Sequence, residues 1–173
     1  MSAYITRNLK GCPVSTLICA FNSVVRPIME YADIVWDPHY QSEIDMIEKI
    51  QKRAARHISK DYSPYSSSTL IMKNIGMENL KSRRKKRKIL KFHQIYHNKS
   101  CLKLPDCITP TASKTRGHSK RVNIPIAKTN TGRFSFFTDT ETMWNALPMD
   151  IAKIHSEKDF KRIIDIAHTF EQK

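Results

Sequence analysis

The chain has 173 residues, of which 40% are hydrophobic and 27% charged, and its formal net charge is +14. This length suits one domain, or one domain and a small appendage. No apolar run in the sequence reaches the roughly 20 residues needed to cross a bilayer, and the opening MSAYITRNLKG lacks the apolar centre of a signal peptide. We therefore expect no membrane partner and a nuclear or cytoplasmic location.

The positive charge is unevenly distributed along the chain. Residues 1–38 carry three basic and three acidic side chains, residues 39–100 carry fifteen and five, and residues 101–173 carry twelve and eight, so the three segments sum to 0, +10 and +4. Clustering of this kind is typical of proteins that bind a polyanion such as nucleic acid. The alternative is the solvated surface of a basic protein.

The first predicted helix follows a short lead-in at residues 1–12. It begins near Pro13, and its apolar residues recur every three or four positions. These residues are Leu17, Phe21, Val24, Ile28, Ala32 and Val35. Pro27 removes one backbone donor inside the helix, but the apolar stripe stays in phase on both sides, so we expect a kink and not a break. Pro38 ends the segment.

A second helix is predicted from about Ser42 to Ser59. One side of it is apolar, at Ile44, Ile47, Ile50, Ala54, Ala55 and Ile58. Another side carries a group of basic residues, Lys49, Lys52, Arg53, Arg56 and Lys60. Two apolar stripes joined by a short turn are expected to pack as an antiparallel helical pair, which turns the basic residues outward.

A short helix at Thr69–Asn74 and a third long helix from about Glu78 to His97 come next. The first half of the long helix contains a basic run, residues 81–88, made of Lys81, Ser82, Arg83, Arg84, Lys85, Lys86, Arg87 and Lys88. Because this half is charged on all sides, we expect it to bury little. The second half is apolar and is expected to dock on the helical pair through Ile89, Leu90, Phe92, Ile95 and Tyr96.

The basic run is open to three interpretations: a phosphate-contacting helix face, a nuclear-localisation signal, or a solvated helix end. Like charges at positions i and i+4 repel one another and weaken a helix. The sequence therefore suggests that this segment becomes ordered when a polyanion binds.

The hydrophobic periodicity disappears at residues 101–120, which we interpret as a linker. Apolar and polar residues then alternate from 122 to 126, and a turn is predicted at 128–132, so we expect a β-hairpin whose second strand is 133–137. Pro125 places the first of these strands at a sheet edge.

Two short C-terminal helices are predicted after the hairpin. The first carries Met143, Trp144 and Leu147, and the second runs from Ser156 to about Phe170 with Phe160, Ile163, Ile164 and Ala167 on its buried face. At helical spacing beside other apolar residues, Trp144 is expected in the core and not on a base-stacking surface. The predicted fold is therefore mainly α-helical with one hairpin.

Several strings, in this order, resemble one known family. They are Arg26-Pro27-x-x-Glu30-Tyr31-Ala32 with Trp36-Asp37-Pro38, Ile47-Glu48-x-x-Gln51-x-Arg53-Ala54-Ala55-Arg56, Leu80-x-x-Arg83-Arg84, Phe134-Ser135-Phe136-Phe137 and Trp144-Asn145-x-Leu147-Pro148. Together they resemble the region after the palm domain in reverse transcriptases of jockey-like non-LTR retrotransposons. The resemblance extends from roughly Ile5 to Phe170.

The resemblance implies a thumb-like helical region at residues 13–100, a linker at 101–120, and a hairpin with C-terminal helices at 121–173. A polymerase thumb holds the template–primer duplex through its backbone, and such phosphate contacts position a duplex without reading its sequence. The implied function is that of a noncatalytic fragment of an RNA-directed DNA polymerase that binds RNA or RNA–DNA duplex nonspecifically. An upstream palm domain in the parent protein would be a further partner.

The candidate nucleic-acid-binding residues are those of the second helix and of the basic run: Lys49, Lys52, Arg53, Arg56, Lys60, Lys81, Arg83, Arg84, Lys85, Lys86, Arg87 and Lys88. The alternative is a degenerate retroelement remnant, or a protein-interaction scaffold without nucleic-acid activity.

No catalytic residue, metal site or cofactor site is predicted. Tyr31-Ala32-Asp33 resembles the start of the polymerase YxDD motif, but Ile34 follows it, so the paired carboxylates of metal-assisted nucleotidyl transfer are missing. The sequence also contains no P-loop, dinucleotide fingerprint or nucleophile elbow. We therefore expect the isolated chain not to be an enzyme.

The four cysteines, Cys12, Cys19, Cys101 and Cys107, form no CxxC pair and are expected to be free thiols in a reducing compartment. A zinc site made by His93, His97, Cys101 and Cys107 is a minor alternative. His93 and His97 would face the same way on a helix, but the two cysteines are irregularly spaced.

Overall fold

The computed structural model describes residues 7–111, 119–123 and 126–171, with side chains up to residue 166 in the last helix. The chain is mainly helical, as predicted, and includes a small two-stranded antiparallel sheet. It forms two compact units that divide between Arg84 and Lys85, inside one long helix. None of the described helices is long and apolar enough to span a membrane.

The first unit is built from helices around one apolar cluster. Its elements are α1 (Val14–Ala20), a π-helical turn (Phe21–Val25), α2 (Arg26–Glu30), α3 (Asp33–Trp36), α4 (Gln41–Ser59), α5 (Ser68–Asn74) and the start of α6 (Leu80–Tyr96). The cluster contains Leu17, Phe21 and Val25 from the first helical segment, Ala54, Ala55 and Ile58 from α4, and Ile71, Met72 and Met77 from α5 and the residues after it.

The predicted apolar stripe is wrong after Phe21, because the helix widens there. Val25 is only 5% exposed, whereas Val24 is 41% exposed. The Arg26 N–H donates to the Phe21 carbonyl, five residues back, and this π-helical bond inserts one extra residue into the turn. Pro27 explains the location, since its ring lacks an N–H and would collide with the carbonyl of Ser23 in a regular α-helix.

The predicted continuation through Ala32 is also wrong. α2 ends at Glu30, and Ala32 adopts a left-handed conformation with φ of 52° before α3 begins. Tyr31-Ala32-Asp33 therefore lies at a break between two helices, and Ala32 is exposed. Asp33 is buried, and its charge helps to raise the pKa of Arg83.

α4 has almost the predicted limits, but its buried face differs from the prediction in two ways. Ile50 is exposed, and two polar residues, Glu48 and Gln51, are buried beside Ile44 and Ala55. Both polar side chains are hydrogen-bonded: Gln51 Nε2 donates to the Glu78 carbonyl at 2.7 Å, and Glu48 Oε1 accepts the Lys81 N–H at 2.9 Å. A search for apolar periodicity alone overlooks buried residues of this type.

The second unit is built around the second half of α6. Its core contains Ile89, Phe92, Ile108, Val122, Trp144, Phe160 and Ile164. The apolar residues of this half of α6 were expected to dock on the helical pair, but the structure places Ile89 and Phe92 in this cluster. The predicted linker accordingly supplies a core residue, Ile108.

The sheet of the second unit pairs β1 (Thr109–Pro110) with β2 (Val122–Asn123), and Thr109 lies opposite Asn123. The predicted hairpin is wrong in its second strand, since residues 133–137 contain the end of α7 (Asn130–Arg133) and the start of α8 (Phe136–Asn145). Thr129 Oγ1 accepts the Gly132 N–H and starts α7 where the turn was expected. Ile124 and Pro125 lie outside the described residues.

A side chain completes the hydrogen bonding of β2. Asn145 Oδ1 accepts the Val122 N–H at 3.0 Å, and Asn145 Nδ2 donates to the Val122 carbonyl at 2.9 Å. The amide thus bonds to both backbone groups that a neighbouring strand would use.

Two of the C-terminal helices correspond to the predicted ones: α8, which carries Met143 and Trp144, and the last helix, α10 (Glu157–Glu171). Between them lies a further short helix, α9 (Met149–Ala152), that the sequence did not predict. Trp144 is fully buried, as predicted, and its indole Nε1 donates to the Lys120 carbonyl at 2.8 Å. Ser156 Oγ accepts the Asp159 N–H at 3.4 Å at the start of α10. Phe160 and Ile164 are buried, whereas the side chain of Ala167 lies outside the described part of the helix.

Candidate nucleic-acid interface

The outer side of α4 carries a cationic face, which we define as Lys49, Lys52, Arg53, Arg56 and Lys60. At about 100° per residue Lys49, Arg53 and Lys60 lie on the side of the helix opposite Ile44, Ala55 and Ile58, which are buried in the first unit. Arg56 lies on the flank of the helix, and Lys52 borders the buried side, about 60° from Ala55. Lys49, Arg53 and Lys60 are exposed, and Lys52 is half-buried. Lys60 is the first residue after α4, with φ of 56°.

Three members of the cationic face are available to an anionic partner. No acidic side chain in the described part of the chain lies within ion-pair distance of Lys49, Arg53 or Lys60. Asp45 is one turn before Lys49, but its carboxylate accepts a hydrogen bond from Gln41 Nε2 at 2.8 Å. The positive charge at these three positions is therefore not neutralised by any side chain that the structure describes.

Arg56, in contrast, stabilises the loop that follows α4. Its guanidinium donates to the Ser66 carbonyl at 3.0 Å and to the Ser63 carbonyl at 3.4 Å. The hydroxyl of Ser66 and the backbone of Ser63 lower the pKa of Asp61 in the same loop, and the charge of Arg56 lowers it further. Arg56 thus has a structural role that its place on the cationic face did not reveal.

Lys52 and Lys81 line the same pocket, which has a volume of about 180 Å³. Lys52 comes from α4 and Lys81 from the first turn of α6, so this pocket brings the cationic face beside the start of the basic run. Its walls also include Asp45, Glu48 and Thr69. The pocket therefore carries both signs of charge.

The first turn of α6 is capped from two directions. Asn79 Oδ1 accepts the Ser82 N–H at 2.7 Å, and the Glu48 carboxylate accepts the Lys81 N–H. A carboxylate at this end of a helix is stabilised by the helix dipole. Because Glu48 occupies the helix N-terminus, an incoming phosphate does not have these N–H groups at its disposal.

Two arginines of the basic run are ion-paired within the first unit. Arg83 donates to both carboxylate oxygens of Glu30, with Nε–Oε1 at 2.6 Å and Nη2–Oε2 at 3.2 Å, and this bond raises the pKa of Arg83. Arg84 is 2% exposed, and its Nε lies 2.6 Å from Asp37 Oδ1. The prediction that this half of the helix buries little is therefore wrong.

The remainder of the basic run belongs to the second unit and is also partly neutralised. Lys88 is 3% exposed and donates to Asp139 Oδ2 at 2.7 Å, and Lys86 Nζ lies 3.6 Å from Asp165 Oδ1. Arg87 is half-buried, and Lys85 is exposed. Because acidic side chains of the chain itself offset the repulsion, α6 has partners that stabilise it without a bound polyanion.

The four residues of the minor zinc alternative do not form a metal site. His93 is fully buried, with Nε2 bonded to the Ile154 carbonyl at 2.7 Å, whereas Cys101 and Cys107 are exposed free thiols. Among the described residues, no group of three or more His, Cys, Asp or Glu side chains is arranged to hold a metal ion.

The structure thus divides the predicted binding residues into two groups. The exposed group contains Lys49, Arg53, Lys60 and Lys81 of the first unit and Lys85 of the second. The group with internal hydrogen bonds or ion pairs contains Arg56, Arg83, Arg84, Lys86 and Lys88. Lys52 and Arg87 are half-buried. Comparison of the chain with protein-family models, with curated proteins and with solved structures gave no match.

Proposed function

We propose that the chain binds the sugar–phosphate backbone of RNA or RNA–DNA duplex through the cationic face of α4. The observation that supports this most directly is the exposure of Lys49, Arg53 and Lys60 on the side of α4 opposite the core, without an acidic partner in the described residues. Lys52 and Lys81 extend this surface at the shared pocket. Contacts of this kind are nonspecific for base sequence.

The resemblance described above supports a wider proposal. The chain is a noncatalytic, thumb-like C-terminal fragment of a jockey-like non-LTR reverse transcriptase, and a palm domain lies upstream in the parent protein. The basic run contributes to binding through its exposed members, Lys81 and Lys85. Arg83, Arg84 and Lys88 are left out of the contact surface because their cationic groups are ion-paired.

The expected affinity is low and depends on salt. Nonspecific binding of a duplex typically has a dissociation constant of about 10⁻⁴ to 10⁻⁶ M, and the log–log slope with salt is near −0.9 per neutralised phosphate. Four or five phosphate contacts would give a slope of roughly −4. Fluorescence anisotropy with a labelled RNA duplex and a labelled RNA–DNA hybrid, over a salt series, measures both quantities.

The decisive comparison is between two variants with the same net charge. In the first, the exposed cations of α4 are removed by Lys49→Gln, Arg53→Gln and Lys60→Asn, where Asn tolerates the left-handed backbone of position 60. In the control, three exposed lysines of the second unit are replaced by Lys103→Gln, Lys128→Gln and Lys153→Gln.

We expect the first variant to weaken binding and to reduce the salt slope by about 3, whereas the control keeps a slope near that of the wild type. Equal losses in both variants would show that total charge, and not the cationic face, determines binding. If the wild type does not bind either duplex at low salt, the proposal fails, and the remnant or scaffold alternative takes its place.

A further inference from the structure

Six large apolar side chains are exposed between residues 24 and 40, although Leu17, Phe21 and Val25 of the first helical segment pack into the core. We call them the apolar face, and they are Val24, Ile28, Tyr31, Val35, Trp36 and Tyr40, with exposed fractions between 41% and 85%. The π-helical turn and the break at Ala32 turn these residues outward.

Local geometry connects neighbouring members of the apolar face. Val24 and Ile28 are four residues apart, and Ile28 and Tyr31 are three apart, so their side chains are neighbours on the helical surface. The indole Nε1 of Trp36 donates to the Tyr31 carbonyl at 2.6 Å, which holds the ring of Trp36 close to the end of α2. Tyr40 lies four residues after Trp36 and contacts the ring of His39, with 4.0 Å between ring centroids.

The area of the apolar face is close to that of a protein interface. If a fully exposed large side chain presents about 200 Å², the six exposed fractions together amount to roughly 700 Å². The largest apolar patch of a typical monomer is about 300–600 Å², and a standard interface buries about 800 Å² on each partner.

The charge of the same segment favours a second copy of the chain as the partner. Residues 1–38 contain three basic and three acidic side chains and sum to zero, in a chain whose total charge is +14. Two of these acidic residues, Glu30 and Asp37, are paired with Arg83 and Arg84. Counted together with these two arginines the segment carries a charge of +2, so two copies repel one another less at the apolar face than at the cationic face of α4.

We propose that the apolar face pairs with the same face of a second copy and forms a twofold symmetric homodimer. In such an interface the same patch is used by both subunits, so every contact between two different residues occurs twice, once in each direction. Burial of apolar area stabilises the pair, and the aromatic residues Tyr31, Trp36 and Tyr40 are of the type enriched at interface centres.

Sedimentation analysis of the full chain at increasing concentration, up to about 100 μM, detects a dimer with a dissociation constant in the micromolar range. The monomer has a mass of 20.1 kDa. Ile28→Glu with Val35→Glu places two carboxylates on the apolar face, at positions that are 59% and 85% exposed, so the core is unaffected. Ile126→Glu, at a residue 96% exposed in the second unit, is the matched control.

We expect the wild type and Ile126→Glu to reach twice the monomer mass, and we expect the double variant to need at least about tenfold more protein to do so, because buried unpaired carboxylates are costly. Circular dichroism spectra of the three proteins should coincide. A wild type that stays monomeric over the whole range overturns the proposal and leaves the face to a different protein. A dimer that persists unchanged in the double variant overturns it equally.

Discussion

Arg83 donates two hydrogen bonds to Glu30, one to each carboxylate oxygen. The two residues belong to α6 and α2, and this paired geometry is stronger and more directional than a single contact. The next residue, Arg84, donates from Nε to Asp37 Oδ1 at 2.6 Å. Two cations that looked like a binding motif in the sequence therefore hold helices of the first unit together.

Arg84 is the member of the basic run whose loss should affect stability most. Arg84→Ala leaves the Asp37 carboxylate without its buried guanidinium, and breaking a buried ion pair in this way costs about 3 kcal/mol. The midpoint of urea unfolding measures the loss. Lys85→Ala, at an exposed neighbour, should change the free energy of unfolding by less than about 0.5 kcal/mol, and equal effects of the two would refute the structural role of Arg84.

Asn79 should be a stability determinant of α6, because its side chain accepts the Ser82 N–H at the helix start. Asn79→Ala removes this cap and should lower the free energy of unfolding by about 1 kcal/mol, whereas Asn79→Asp retains the acceptor and should be close to neutral. Urea unfolding followed by circular dichroism distinguishes them. If Asn79→Asp is as unstable as Asn79→Ala, the cap is not the cause.

Asn145 should control the order of β2. Asn145→Leu removes both hydrogen bonds to the buried Val122 backbone, and unpaired buried groups cost about 1–3 kcal/mol each. Asn145→Asp retains the acceptor for the Val122 N–H, but it turns a carboxylate oxygen toward the Val122 carbonyl and the Glu141 carboxylate, to which Nδ2 now donates, so it should destabilise the unit as well. Hydrogen exchange at the Val122 amide provides the measurement, and an unchanged exchange rate in Asn145→Leu would contradict the role.

The stability of the second unit should fall in mild acid because of His97. Burial lowers the pKa of His97 to about 4, and the nearby charges of His93, Lys120, His155 and Lys99 act in the same direction. The unfolded chain takes up this proton near the ordinary pKa of about 6.5. The contribution of His97 to stability is therefore complete above pH 6.5 and is lost as the pH falls from there to about 4.

The pKa of His93 is lowered as well, mainly by burial, while its bond to the Ile154 carbonyl and the charge of Glu157 oppose the shift. Urea midpoints at several pH values should therefore fall less steeply in His97→Leu than in the wild type. His39→Gln, at an exposed histidine of the first unit, should keep the wild-type slope. If His97→Leu keeps that slope too, other groups cause the pH dependence.

The sequence was sufficient for the features that depend on local patterns. The limits of α4, the start of α10 at Ser156 and the burial of Trp144 follow from periodicity and capping, which involve neighbours within a few residues. The failures involve distant partners. A strand at 133–137 was predicted beside residues 122–126. In the structure the Val122 N–H instead bonds to the amide oxygen of Asn145, which is 23 positions away in the sequence.

The candidate site was predicted only in part for the same reason. A run of basic residues gives no sign of the acidic partners of Arg83, Arg84 and Lys88, which are 53, 47 and 51 positions away. One signal was present in the sequence: Glu30 and Asp37 stand in the strings that carry the family resemblance, and so do Arg83 and Arg84. Pairing these opposite charges would have identified two of the internal contacts.

The π-helical turn at Phe21–Val25 contains one residue more than an α-helical turn, and Pro27 is the reason that this extra residue is needed. Because the extra residue rotates everything after it, Val25 and Met29 pack inward where Val24 and Ile28 would otherwise lie. A chain with one residue fewer here would restore an ordinary α-helix, but Pro27 would then strain it. We therefore expect insertion and proline to be gained or lost together as such sequences diverge, with the same interior retained in either form.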